Sequence, residues 1–308
     1  MNFENRLGEL GVSVLYQEPL SRHTTFRIGG PADYYVMPEN VEQLKEVIAL
    51  CREYQVPCQV VGNGSNLLCA DDGVEGVVID MVRGMKSCEV DPKAGTITAQ
   101  AGVLLSALAR RAQQSGLTGL EFAAGIPGSV GGALVMNAGA YGGEMRQVVR
   151  QARVLTAEGQ ERVVSLEELD LSYRHSSIRP NGWTVLEVTY QLEPGHPEVI
   201  RATMDDLAAR RREKQPLEFP SAGSTFKRPV GYFAAQLIDE AGLKGFTVGG
   251  AQVSEKHAGF VINRGGATAA DVMALCHAVK EKIRGQVGVE LEMEVERIGG
   301  RTCHFPPM

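Results

Sequence analysis

Apolar residues recur at helical spacing across residues 40–54, where Leu44, Val47, Ile48 and Cys51 share one face. The pattern predicts an amphipathic helix, with Asn40 and Gln43 as a capping-box start. The period then shortens. Residues 59–61 read as a strand ending at Gly62, VVIDMV from Val77 as a second and TITAQ at 96–100 as a third, with a helix over 104–114. Further on, ARVLTAEG and ERVVSLEEL predict a hairpin running into a turn boxed by Ser165 and Glu168, followed by a strand over VLEVTYQL, 185–192. PGHP at 194–197 interrupts the pattern, and a domain boundary is expected there, dividing the chain into 1–195 and 196–308. The second part predicts a basic helix to Lys214, a helix from Tyr232 closed by Gly242, a strand at 260–263 and a helix from Ala269 to near Arg284 behind Thr268. It ends in a strand over VELEMEVERI. In that last segment alternation puts Glu290, Glu292, Glu294 and Glu296 on one side and Leu291, Met293 and Val295 on the other. Short strands mixed with short helices indicate an α+β fold, not a doubly wound sheet.

Composition narrows the function classes. At 308 residues the chain has room for about two domains, and 44% hydrophobic with 22% charged residues supports a packed core. A net charge of -6 argues against a general nucleic-acid binder. MNFENRLGEL lacks a basic leader and an apolar core, and no apolar run is long enough to span a bilayer, so a cytoplasmic protein is expected. The cysteines at 51, 58, 69, 88, 276 and 303 form no C-x-x-C pair, and H-E-x-x-H is absent, so no metal is expected.

The unusual stretch is AAGIPGSVGGALVMNAGAYGG, residues 123–143, with seven glycines in twenty-one positions. Ile126, Val130, Leu134, Val135 and Met136 interleave with them, which excludes a flexible linker. Neither a Walker sequence nor G-x-G-x-x-G occurs here or at GNGSN, residues 62–66. Each glycine-rich segment fits a tight turn, and each fits a nest of amides around an anion.

The combination is more specific than its parts. HTTFRIGGPAD (23–33), GNGSNLL (62–68), GIPGSVGGALVMNAGAYGGE (125–144), YRHS (173–176), SAGSTFKRP (221–229) and LEMEVERIG (291–299) together resemble the UDP-N-acetylenolpyruvoylglucosamine reductase family, in order and over nearly the whole chain. The resemblance implies an FAD-binding domain of the vanillyl-alcohol oxidase type, followed by an α+β substrate-binding domain, in the shorter form without the tyrosine-bearing insertion. It implies FAD held at Gly62, Asn63, Gly64, Ser65 and Asn66 and at Gly125, Ile126, Pro127, Gly128 and Ser129, with Asn137, Ala138 and Gly139 toward the flavin. NADPH is the implied reductant and UDP-N-acetylglucosamine enolpyruvate the implied substrate, for peptidoglycan precursor synthesis.

Three residues carry the implied chemistry. Ser224 in AGSTF would ordinarily be a loop serine bonding its own backbone; the resemblance makes it a proton donor. Arg174 would ordinarily pair with a surface acid, yet a guanidinium is also the fork for a carboxylate, and the resemblance aims it at the substrate. Glu294 would be one of several solvated glutamates; the resemblance makes it Arg174's partner in stabilising an enolate. Tyr173, Lys214, Arg228 and His257 are the substrate-binding candidates; the resemblance turns Lys214 toward the diphosphate, and His257 fits a satisfied structural histidine equally well. Two alternatives stay open: an FAD-dependent sugar or alcohol oxidase, which would need no proton donor, and a nucleotide-sugar sensor, which would lack a flavin absorption band.

Overall fold

The structure is a computed structural model, and it describes residues 2–300. Cys303 lies outside them. Eight helices are present among the described residues: α1 (Phe3–Glu9), α2 (Val41–Glu53), α3 (Leu105–Gln114), α4 (Val130–Val135), α5 (Leu166–Leu169), α6 (Pro197–Lys214), α7 (Ala234–Glu240) and α8 (Ala269–Val287). Internal contacts group these residues into two units. One comprises 1–15, 34–63 and 77–211; the other comprises 16–33, 64–76 and 212 onward.

In the first unit α2 forms as its pattern demands, because Val41, Leu44, Val47, Leu50 and Cys51 are buried on one stripe. Asn40 Oδ1 accepts from the Gln43 amide, but the Gln43 side chain accepts from Glu39 N, so the return bond is displaced by one residue. The α3 stripe is Leu105, Leu108, Ala109 and Ala112. An antiparallel sheet of five strands runs in the order Glu161–Ser165, Val149–Leu155, Thr184–Gln191, Thr96–Gln100, Cys88–Asp91. Ile97, Val154, Val188 and Tyr190 from this sheet join Leu44, Leu108 and Leu134 in one core. The hairpin and the Ser165–Glu168 box are both formed, the latter capping α5.

The second unit packs α7 and α8 with an antiparallel sheet ordered Ser221–Ser224, Phe260–Asn263, Ala251–Val253, Thr247–Val248. Thr268 and Asp271 box the start of α8, and Gly288, with φ 73°, ends it. Phe26, Ile28 and Leu68, from early in the chain, complete its core with Phe226, Leu275 and Val279.

Two predicted elements differ. The strand over VELEMEVERI shrinks to Glu296–Ile298, which pairs in parallel with Leu67–Cys69. Upstream, no strand runs alongside the whole segment. Met293 makes one isolated bridge to Phe226, and the backbone bonds go in turn to Lys227, Thr225 and Asn66. Alternation survives without the ladder, since Leu291, Met293 and Val295 are buried and Glu292 is exposed. The helix expected from Tyr232 begins at Ala234, because the Tyr232 amide closes a turn on Pro229 and Phe233 is extended with φ -115°.

Candidate active site

In the first unit the glycine-rich segments are packed, not loose. A Cβ at Gly62 would run into Ser129 Oγ, and one at Gly131 would sit 2.9 Å from Ala101 Cβ. The Asn63 side chain donates to the Pro127 carbonyl at 2.7 Å, tying one loop to the other. Ser129 is 1% exposed at the N-cap of α4, yet its hydroxyl caps nothing and has no hydrogen-bond partner among the described residues. An orphaned buried hydroxyl is costly, and an added group at this loop would satisfy it. Beside it, the Arg211 side chain lies 3.3 Å from where a Gly125 Cβ would be. Desolvation holds this guanidinium below the usual arginine range.

At the other end of α4, Asn137 is fully buried with φ 40°. Its Nδ2 donates to Glu144 Oε2 at 3.1 Å and to the Ser172 carbonyl at 3.0 Å, and its Oδ1 accepts from Arg146 N at 2.9 Å. The side chain expected toward the flavin is therefore committed to protein partners. Ala138 and Gly139 beside it are half-buried. Ser172 and His175 close a turn through reciprocal backbone bonds of 3.2 and 3.1 Å. Tyr173 and Arg174 form its tip, the Arg174 guanidinium lying 4.9 Å over the Tyr173 ring, and Arg174 has φ 55°.

The GNGSN loop continues into the second unit at Gly64, whose φ is 61° and whose Cβ, if present, would strike the His23 carbonyl. Ser65 is half-buried beside it. Asn66 Nδ2 donates to the Glu294 carbonyl at 3.0 Å, and Glu296 N donates to Asn66 O at 2.8 Å. Seventy positions separate Ser224 from Glu294 in the chain, yet the Glu294 amide donates to the carbonyl of Thr225, next to Ser224, at 2.8 Å. Ser224 is exposed at the end of its strand, opposite Phe260 in register. His257 packs edge-on to Phe260 at 5.0 Å between centroids, and its Nδ1 accepts from Gly259 N. That bond fixes the neutral ring with its proton on Nε2, and burial holds its pKa below the ordinary histidine range. Arg228 stacks 3.9 Å over Phe233, Lys227 pairs with Glu292, and Lys214 is exposed at the end of α6.

Residues 32–165 match the family of FAD binding domains, and residues 215–298 match the C-terminal domain of UDP-N-acetylenolpyruvoylglucosamine reductase. The UDP-N-acetylenolpyruvoylglucosamine reductase of Agathobacter rectalis is 51% identical over 304 residues, covering 96% of each chain. The chain belongs to the UDP-N-acetylenolpyruvoylglucosamine reductase family. The reductase of Clostridium botulinum strain 657 is 50% identical over 97% of this chain and 96% of its own. A solved UDP-N-acetylenolpyruvylglucosamine reductase from Thermus caldophilus is 38% identical and superposes with a TM-score of 0.78, over 93% of this chain and 98% of that one.

Both glycine-rich loops of this UDP-N-acetylenolpyruvoylglucosamine reductase family member lie within residues 32–165, the span of its FAD-binding domain. The α+β class and the FAD-binding fold expected from sequence both hold. The unpaired Ser129 hydroxyl and the close approach at Gly62 fit a bound FAD. Sequence reasoning did not single out Arg211, which packs against Gly125. It gave a basic helix to Lys214, and that packing separates Arg211 from its neighbours there. Among the described residues no cluster of histidine, cysteine, aspartate or glutamate could hold a metal, and no helix is long and apolar enough to cross a membrane.

Proposed function

We propose that the protein reduces UDP-N-acetylglucosamine enolpyruvate to UDP-N-acetylmuramate in the cytoplasm with NADPH as electron source, residues 1–195 carrying the cofactor and 196–308 the sugar nucleotide. FAD supplies the hydride that it takes from NADPH. Gly62, Asn63, Gly64, Ser65, Asn66 and residues 125–129 hold its diphosphate, with the Ser129 hydroxyl as one donor. Hydride arriving at the methylene carbon of the enolpyruvyl ether leaves negative charge on the adjacent carbon and its carboxylate. The Arg174 guanidinium opposes that charge, and Glu294 shares the load as a hydrogen-bond donor in its protonated form. One such preorganised donor is worth about 3 kcal/mol of barrier. Ser224 gives its proton to the carbon, since a hydroxyl can protonate an acceptor that basic. Tyr173, Lys214, Arg228 and His257 bind the substrate.

The supporting observation is the backbone bond from Glu294 to Thr225, which brings two residues far apart in sequence onto neighbouring segments of one unit. The test is a pair of half-reactions. Ser224→Ala holoenzyme should bleach with NADPH at the normal rate and fail to recover its colour with the enolpyruvyl sugar. Normal turnover would remove Ser224 from the chemistry.

A further inference from the structure

Arg174 occupies a left-handed backbone conformation at the tip of a four-residue turn, a state an arginine adopts only at a cost. A strained tip persists when its surroundings over-determine it. Here two buried side chains flank the turn, and both reach the same short helix end. Asn137 Nδ2 donates to the Ser172 carbonyl on one side; on the other, Ser176 Oγ donates to the Val135 carbonyl at 2.8 Å. Ser176 is 3% exposed and Asn137 0%, so neither can exchange its partner for water. Asn137 can itself take a left-handed φ, which few residues tolerate, and its remaining capacity is filled by Glu144 and Arg146. Val135 ends the helix that Ser129 begins, so α4 carries the glycine-rich loop at one end and the arginine turn at the other.

We propose that Asn137 and Ser176 are positioning residues that clamp the Ser172–His175 turn to the end of α4 and thereby aim Arg174. The clamp acts through Arg174 and rests on the role proposed for that residue. Removing either tether releases the turn and slows the step that Arg174 assists; removing the Ser176 tether leaves reduction by NADPH alone.

The experiment uses holoenzyme reduced with dithionite and mixed with UDP-N-acetylglucosamine enolpyruvate, following return of the flavin absorption. Ser176→Ala should slow recolouring about tenfold, the worth of one buried hydrogen bond, and Asn137→Gly, which keeps access to positive φ but deletes three, should slow it more. Bleaching by NADPH should match wild type in Ser176→Ala, and Ser176→Thr, which retains the hydroxyl, should restore the rate. In the Arg174→Ala background Ser176→Ala should add nothing, because a residue that acts through another is silent once its target is gone. Hydrogen exchange at the His175 amide of the apoprotein should quicken in Ser176→Ala, a readout independent of turnover. If Arg174→Ala slows recolouring while both clamp variants match wild type, or if the Ser176 effect persists undiminished without Arg174, the clamp is overturned. If Arg174→Ala itself recolours normally, the role of Arg174 fails instead, and the clamp has nothing to aim.

Discussion

The turn bearing Arg174 and the segments bearing Ser224 and Glu294 are held by different means. Side chains pin the first: Asn137 and Ser176 reach its flanks, and two backbone bonds join its own ends. Main chain laces the second. Thr225 bonds to Gly259 and Glu294, Lys227 to Glu292, and Glu296 to Asn66, with the Asn66 amide as an additional side-chain tie. The lesson concerns vulnerability. A side-chain clamp fails by deletion of one group, whereas a backbone lattice survives truncation and fails when something is added to it.

That contrast can be broken most severely at Gly64. Alanine there would force a side chain into the left-handed region and into the His23 carbonyl, at a cost of roughly 3 kcal/mol. Thermal melting of the apoprotein should show a large drop, and a melt within a degree of wild type would refute the account of this loop. A milder probe is Asn66→Ala, which deletes one side-chain tie to the Glu294 carbonyl and leaves the main-chain bonds in place. It should cost about 1 kcal/mol in denaturant unfolding. A loss as steep as that of Gly64→Ala would mean that side chains, not main chain, carry this region too.

The smallest effect is set by pH. His257 Nδ1 must be unprotonated to accept from Gly259, whose carbonyl in turn receives the Thr225 amide. Because burial lowers its folded pKa below 6.5, the unfolded chain takes up the proton first. The stabilisation is full above that value and declines as pH falls through it. Melts at about pH 7.5 and about pH 5 should therefore diverge in wild type, and less so in His257→Gln, which keeps an acceptor and cannot titrate. Equal divergence in both would detach His257 from the lattice.

Periodicity was enough to find α2, α3 and α8, since each buries a single stripe, and the Ser165 and Thr268 boxes are written in local sequence. It could not show that Glu296–Ile298 pairs with Leu67–Cys69, or that Thr225 bonds Glu294, because pairings across such distances leave no local trace. The alternation in VELEMEVERI marked sidedness correctly, but sidedness does not require a strand. Asn137 illustrates the same limit. The resemblance set it toward the flavin, and its three hydrogen bonds, to residues up to thirty-five positions away, are what local sequence could not show.

The division of the chain between its units bears on synthesis. It crosses from one unit to the other at 15/16, 33/34, 63/64, 76/77 and 211/212. Two early pieces, 16–33 and 64–76, thus emerge from the ribosome long before the residues they must join, and Phe26, Ile28 and Leu68 wait without a core. The first unit, by contrast, has all its parts once translation passes Arg211. Newborn chains should mature in two stages, and an arrest shortly after that point would leave exposed apolar surface for a chaperone to shield.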